Sequence, residues 1–242
     1  MMEVLSRFDA YMLRAQLAPT IIAGAPALAA FVLLIPWHGV TLSSTIAVVV
    51  GLALVCAVMD YAQLCGDRLD ARIFAAHGGK TATLRHRDHT VDAKTKAAYH
   101  AFFAKVLEVP APTADDESAD PAAADAYYER GRAWLRGHTR DTKTFKILFN
   151  ANVTYGFRRN LLALKGQALV LSGLVALVCG GLLWQHAPAT GDDDFTLRVF
   201  LVLGIAAGQA VYMLFAVKAS NVVDASERYG HELLLTIDTL DK

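Results

Sequence analysis

The stretch that decides the fold is AQLAPTIIAGAPALAAFVLLIPWHGVTLSSTIAVVVGLALVCAVM (residues 15–59), which contains no Asp, Glu, Lys or Arg. A helix needs roughly 20 apolar residues to cross a bilayer. This charge-free run of 45 residues is therefore long enough for two crossings. Pro36-Trp37-His38-Gly39, near its middle, supplies a turn and an aromatic side chain suited to the membrane interface. The run predicts a pair of membrane-spanning helices.

Two further gaps in the charge pattern, residues 166–191 and 199–217, predict a second pair of spans. No stretch of the sequence shows the alternation typical of a strand. We therefore predict an all-α polytopic membrane protein with four transmembrane helices and a helical cytoplasmic domain between spans 2 and 3. The four predicted spans are about 17–36, 41–61, 167–186 and 198–218.

A cleaved signal peptide is the competing interpretation of the first span. Ala23-Gly24-Ala25 and Ala27-Leu28-Ala29 offer the small residues of a cleavage site. Both triplets lie inside the apolar stretch, which continues through residues 31–35, so the pattern favours a retained span.

The positions of Lys and Arg predict the orientation, because basic residues stay on the cytoplasmic side. The connections 37–44 and 187–197 have none, whereas residues 67–165 hold 17 of the 23 basic residues. We expect a multi-pass membrane protein with both termini cytoplasmic. Its predicted parts are an amphipathic cytoplasmic N-terminus (1–16), transmembrane helices 1–2 (17–62), a basic helical cytoplasmic domain (63–165), transmembrane helices 3–4 (166–218) and a cytoplasmic helical tail (219–242).

The predicted cytoplasmic domain contains three helices. One runs from Asp92 to Leu107, and another starts at Asp120-Pro121, where an Asp cap precedes a first-turn proline. A third begins near Asp141 and continues toward the third span. Residues 109–117 are expected to be a solvated linker. The tail brings Leu233, Ile237 and Leu240 to one helical face, suited to packing on the cytoplasmic domain or on a neighbouring subunit.

Charge within this domain is segregated. Residues 108–129 carry seven acidic and no basic groups, whereas residues 130–165 carry nine basic groups and one acid, Asp141. Membrane topology explains the basic residues beside the spans, and a lipid-facing surface or a polyanion site explains the rest equally well. The candidate ligand-binding residues are Arg85, Arg87, Lys94, Lys96, Arg132, Arg136, Arg140, Lys143, Lys146, Arg158 and Arg159.

Spacings of four, four and three residues place Arg132, Arg136, Arg140 and Lys143 on one face if a helix is continuous there. Gly137 and Asp141 leave that continuity open. Three aromatic residues among these arginines can stack on nucleic-acid bases or belong to the helix core: Tyr127, Tyr128 and Trp134.

Polar and small residues inside the fourth predicted span suggest either pore lining or helix packing, of which packing is the commoner explanation. These residues are Gly204, Gly208 and Gln209.

No catalytic motif accompanies these features, so we expect neither an enzyme nor a cofactor. His86-Arg87-Asp88 copies a kinase triplet, but no glycine-rich phosphate loop or Asp-Phe-Gly occurs with it. The histidines and aspartates of residues 86–92 do not have the spacing of a zinc site, and no metal is expected. The three cysteines lie in or beside spans and predict no disulfide.

Three segments carry a resemblance to a known family: TLRHRD (83–88), DTK (141–143) and YGFRRNLLALK (155–165). They resemble the membrane effectors of nucleotidyltransferase-linked bacterial antiphage defence, nearest to the Hailong type of DNA-gated ion channel. The resemblance implies a homotetramer controlled by single-stranded deoxyadenylate oligomers that a partner nucleotidyltransferase makes. It assigns no ligand residues.

The basic domain and the resemblance together predict an oligomeric ion channel or pore-forming effector of antiphage defence in the bacterial inner membrane. A nucleotide or single-stranded DNA oligomer bound to the basic cytoplasmic domain would gate it. Its partners would be the lipid bilayer, further copies of itself and that oligonucleotide or nucleotide ligand. The alternative is a non-channel membrane scaffold that binds anionic lipid or a cytosolic enzyme.

Overall fold

A computed structural model describes residues 11–34, 44–76, 81–186 and 193–241, without the side chains of 44–56, 75, 76, 186 and 193. Two predicted features, the Pro36–Gly39 turn and most of the amphipathic N-terminus, lie outside the described residues. So do residues 187–192 of the predicted connection 187–197.

The described residues are almost wholly helical and contain no strand. A π-helical turn at Met12–Leu17 leads into the first α-helix, and a 3₁₀ turn lies at Ala82–Leu84. The α-helices in chain order are α1 (Ala18–Leu34), α2 (Ser44–Ala76), α3 (Ala93–Leu107), α4 (Ala114–Ala119), α5 (Pro121–His138), α6 (Lys146–Ala163), α7 (Lys165–His186), α8 (Asp193–Phe215), α9 (Ala219–Leu235) and α10 (Ile237–Leu240).

Three helical segments are long and apolar enough to cross a membrane: Met12–Leu34, Lys165–Gln185 and Asp194–Phe215. They coincide with the first, third and fourth predicted spans. The second predicted span, 41–61, falls largely on α2, whose side chains before residue 57 lie outside the described set, so it stays a prediction. The protein is thus all-helical with three candidate spans, and these features suggest a membrane protein.

The chain divides into two compact units. The first comprises Met1–Asp70 with Gly156–Val222, and the second Ala71–Tyr155 with Val223–Lys242. The predicted division into cytoplasmic and transmembrane parts, with limits at 63 and 165, stays a prediction. Formal charge balances separately in each unit, with eight basic and eight acidic residues in the first and fifteen of each in the second.

The first unit is built around α1, α7 and α8, which pack pairwise on one another. Gln209 of α8 is buried at their junction. It accepts a hydrogen bond of 2.5 Å from the Ser172 hydroxyl of α7 and donates one of 3.3 Å to the Ala23 carbonyl of α1. One side chain therefore links the three candidate spans.

We expect Gln209→Leu to destabilise this junction by about 0.6–2 kcal/mol, the range for hydrogen bonds between membrane helices. Thermal unfolding of the full chain in detergent measures the change. Gln185→Leu, the same substitution at an exposed position of α7, should have little effect. Equal unfolding temperatures for wild type and Gln209→Leu would contradict the role assigned to this side chain.

The second unit has its own hydrophobic core, built from α3, α5, α9 and α10. Its fully buried side chains include Phe103, Tyr128, Leu135 and Leu233. The tail therefore packs on residues of the segment 71–155 in the same chain. A neighbouring subunit, the other partner considered for its apolar face, is not needed to cover that face.

Two predicted helix starts in this unit are confirmed by their caps. The Asp92 carboxylate accepts a hydrogen bond from the Thr95 amide before α3. Asp120 accepts from the two amides that follow Pro121, at the start of α5.

Residues 109–117, predicted to be a linker, are partly helical in the structure. Part of it forms the short helix α4, because Thr113 and Asp116 make a reciprocal capping box. The acidic residues of the segment remain mostly exposed, so it is solvated as expected but locally helical.

Candidate anion-binding surface

The eleven candidate basic residues do not form one surface. Arg85, Lys96 and Arg132 are 9%, 5% and 4% exposed. Arg158 and Arg159 belong to the first unit and the other nine to the second. The exposed candidates of the second unit are Arg87, Lys94, Arg136, Arg140, Lys143 and Lys146.

Arg85 and Lys96 hold a loop in place. The Arg85 guanidinium forms an ion pair with Asp125 of α5, in which Nε donates over 2.8 Å. Lys96 of α3 donates from Nζ to the Arg85 carbonyl at 2.7 Å and also to the Asp88 carbonyl. Because buried charges need such partners, both cations are used for contacts inside the protein. Their assignment to an exposed ligand-binding surface was therefore wrong.

The same loop is attached to two further side chains. His100 donates from Nε2 to the Leu84 carbonyl at 2.8 Å, since a carbonyl only accepts. Burial lowers the pKa of His100 below its ordinary value, so the ring is neutral at pH 7. Glu117 of α4 accepts from the His86 amide at 2.9 Å. We call residues 84–89 the anchored loop.

Arg132 lies inside the second unit, where burial lowers the pKa of its guanidinium. Its electrostatic neighbours include Glu129, Tyr155 and Tyr229, and the two tyrosine rings stack with centroids 6.2 Å apart. A side chain this deeply buried does not reach a ligand on the surface, so Arg132 too is removed from the candidate set.

Of the candidate cations that are exposed, four lie close together in the sequence. We call these four the basic strip: Arg136, Arg140, Lys143 and Lys146. Arg136 pairs with Glu129 at 2.7 Å. The other three form no hydrogen bond through their side chains and no ion pair within the described residues. Three neighbouring cations are thus left to solvent or to a ligand.

The geometry of the strip differs from a single helical face. Helix α5 ends at His138, where the Thr139 hydroxyl donates to the Leu135 carbonyl at 2.8 Å. Asp141 then accepts from the Thr144 hydroxyl at 2.6 Å and the Lys143 amide at 3.0 Å. These bonds lower the pKa of Asp141 and form the turn that separates α5 from α6.

Arg158 and Arg159 make structural contacts within the first unit. Arg159 forms an ion pair of 2.8 Å with Asp67. Arg158 is exposed and donates to the Asn221 carbonyl at 3.1 Å. Both side chains therefore have partners inside the first unit.

The aromatic candidates belong mainly to the core. Tyr127 and Tyr128 are 3% and 0% exposed, so their faces are not available for stacking with bases. Trp134 is half-buried against Phe102, with ring centroids 5.5 Å apart, and stacks on His138 at 3.7 Å. Its other predicted role, as helix core, agrees with these contacts.

Gly204 and Gly208 lie on the exposed side of α8, with no neighbouring group within 4 Å of an added Cβ. They make no close helix contact within the described residues, in contrast to the adjacent Gln209. No group of three or more His, Cys, Asp or Glu side chains in the described ranges is placed to hold a metal ion.

The fold and surface define an all-helical protein with three candidate spans and a short exposed basic strip. Comparison with protein-family models, curated proteins and solved structures finds nothing that matches this chain.

Proposed function

We propose that the protein is an oligomeric membrane channel, an antiphage defence effector, gated by a single-stranded oligonucleotide or nucleotide that binds the basic strip. The observation that carries the proposal is that Arg140, Lys143 and Lys146 are exposed and have no ion-pair partner within the described residues. Phosphate groups are the natural partners of such a set. The resemblance of residues 83–88, 141–143 and 155–165 to defence effectors supports this choice of ligand.

The position of the strip also supports gating. Helix α6 begins at Lys146, inside the strip, and continues to Ala163, which belongs to the first unit. A ligand that binds one arrangement of the first turn of α6 more tightly than another shifts the population toward it.

Binding is tested by fluorescence anisotropy of a labelled oligodeoxynucleotide with the purified full chain in detergent. The log of the association constant should fall with the log of salt concentration, with a slope of about −0.7 for each phosphate neutralised. Anionic liposomes provide the comparison. Binding to liposomes without any binding to oligonucleotide would reject this ligand and favour the lipid-binding scaffold.

Removing two charges of the strip, in the variant Lys143→Gln/Lys146→Gln, should weaken oligonucleotide binding by about tenfold. The salt slope should become shallower by roughly 1.4, because two phosphate contacts are lost. Lys105→Gln/Arg228→Gln removes two exposed charges elsewhere in the second unit and serves as the matched control. An identical loss in both double variants would show that net charge, and not the strip, determines binding.

Channel activity needs a separate measurement. Planar-bilayer recordings of the reconstituted oligomer, with and without oligonucleotide, should show a conductance that the ligand changes. If an intact oligomer passes no current in either condition, the channel part of the proposal fails even where oligonucleotide binding is retained.

A further inference from the structure

Two cavities flank the anchored loop in the second unit. One, of about 500 Å³, is lined by Arg85, Arg87, Glu117 and Ser118 among others. The second, of about 580 Å³, is lined by Asp88, His89, Lys96 and others. His86 and Ala114 border both cavities. Volumes in this range suit small-molecule ligands.

The acidic side chains around these cavities are already engaged. Glu117 accepts from the Tyr128 hydroxyl at 2.6 Å as well as from the His86 amide. Asp125 is paired with Arg85 and also accepts from the Thr81 hydroxyl at 3.0 Å. The carboxylates therefore serve the protein's own donors.

Asp88 is engaged in the same way. It accepts hydrogen bonds from the amide and the hydroxyl of Thr90. Burial acts to raise the pKa of Asp88, but these bonds and the nearby Lys96 hold it below its ordinary value.

Two basic side chains of the loop are not engaged, whereas the His86 ring donates from Nε2 to the Pro112 carbonyl at 3.0 Å. Arg87, which lines the first cavity, and His89, which lines the second, are exposed and form no ion pair or side-chain hydrogen bond within the described residues. Within the described residues, Arg87 and His89 are thus the polar side chains of the two linings that have no hydrogen-bond or ion-pair partner in the protein.

The side chains that hold the loop are buried polar and charged groups. Arg85, Lys96 and His100 are each more than nine-tenths buried, and burying such groups is unfavourable unless they are well bonded. The bonds of Lys96 and His100 go to the backbone carbonyls of the loop itself. The result is a fixed backbone that presents Arg87 at a cavity wall, as a preorganised binding site requires.

We propose that the first cavity binds a small phosphate-bearing molecule of about nucleotide size, with its phosphate on the Arg87 guanidinium. Arg87 can donate two parallel hydrogen bonds to a phosphate, while the remainder of the ligand lies against the apolar residues Ala114, Pro121 and Ala124 that also line this cavity. This site is separate from the basic strip and goes beyond the proposed function, because its ligand is a compact molecule held in a half-open cavity.

The test is isothermal titration of the full chain in detergent with uridine 5′-monophosphate and with uridine, which differ only in the phosphate. We expect the monophosphate to bind at least about tenfold more tightly than uridine. Arg87→Gln should weaken monophosphate binding by roughly ten- to a hundredfold, the loss expected for a charge-assisted bidentate contact. Lys105→Gln, which removes an exposed charge that lines neither cavity, should leave it unchanged.

A second arm distinguishes the source of the phosphate. Short-chain phosphatidic acid presents the same group on a lipid, and binding that depends on Arg87 for the lipid but not for the nucleotide would assign the cavity to a headgroup. The phosphate site is overturned if monophosphate and uridine bind equally, if neither phosphate probe binds, or if Arg87→Gln binds both phosphate probes like wild type.

A third arm separates this site from the proposed function. Lys143→Gln/Lys146→Gln should bind uridine 5′-monophosphate normally while losing oligonucleotide affinity. Lys96→Met should weaken monophosphate binding with Arg87 intact and should increase hydrogen exchange in residues 84–89. If Lys96→Met increases exchange there without weakening binding, the anchored loop does not position the site and the proposal is wrong.

Discussion

Replacing Phe103 by alanine is expected to lower the free energy of unfolding of the second unit by about 3–5 kcal/mol, the usual cost of removing a buried phenylalanine. Phe103 of α3 is fully buried. Its ring lies so close to Gly131 of α5 that an added Cβ there would be 2.7 Å from Cδ1. The two helices therefore approach each other through this ring, and its loss leaves a cavity that glycine cannot fill.

Hydrogen exchange of the full chain locates the effect, which should be largest in peptides from α3, α5 and α9. Phe200→Ala makes the same change at an exposed position of α8 and should leave exchange in the second unit unaltered. The assignment of Phe103 to the centre of this core would be contradicted by a loss below about 1 kcal/mol.

The second large effect is expected at Gly66 of α2. A Cβ at this position would lie 2.3 Å from Oδ1 of Asn160, whose side chain is 0% exposed. The Asn160 amide is fixed by a 2.8 Å hydrogen bond from Nδ2 to the Ala15 carbonyl. Gly66→Ala must displace this amide, and overpacking together with a disturbed buried hydrogen bond should destabilise the first unit by about 2–5 kcal/mol.

Gly173→Ala provides the matched control, because nothing lies within 4 Å of an added Cβ there. In a helix interior the same substitution is otherwise favourable by up to about 1 kcal/mol, so Gly173→Ala should be neutral or slightly stabilising. Thermal unfolding in detergent measures both variants. Similar unfolding temperatures for the two would show that Gly66 is not needed for the approach of α2 and α6.

The helical architecture was accessible to sequence reasoning because its signals are local. Charge-free runs of membrane-spanning length predicted four spans, and three of them coincide with the candidate spans of the structure. The caps at Asp92 and Asp120 lie within a few residues of the helices they begin. The short helix α4 was missed because a run of acidic residues resembles a solvated linker unless the Thr113 capping box is given weight.

The candidate site was harder to predict because burial depends on distant partners. Arg85 pairs with Asp125, 40 residues away, and no local pattern distinguishes it from the exposed Arg87. Lys96 was likewise assigned to the surface from its charge, and Arg132 from its charge and its spacing with the arginines that follow it. The apolar spacing around them carried a usable signal, since Lys96 lies three positions before Tyr99 and Arg132 lies three before Leu135, both on buried faces of their helices.

The separate charge balance of the two units has a consequence for how a ligand arrives. Beyond a Debye length of about 10 Å at 0.1 M salt, an approaching polyanion meets almost no net field from a unit with equal numbers of opposite charges. Encounter then depends on collision with the exposed cations themselves instead of long-range steering. Under the proposed function, the protein would not attract cellular nucleic acid at a distance and would respond only to a molecule that contacts the exposed cations directly.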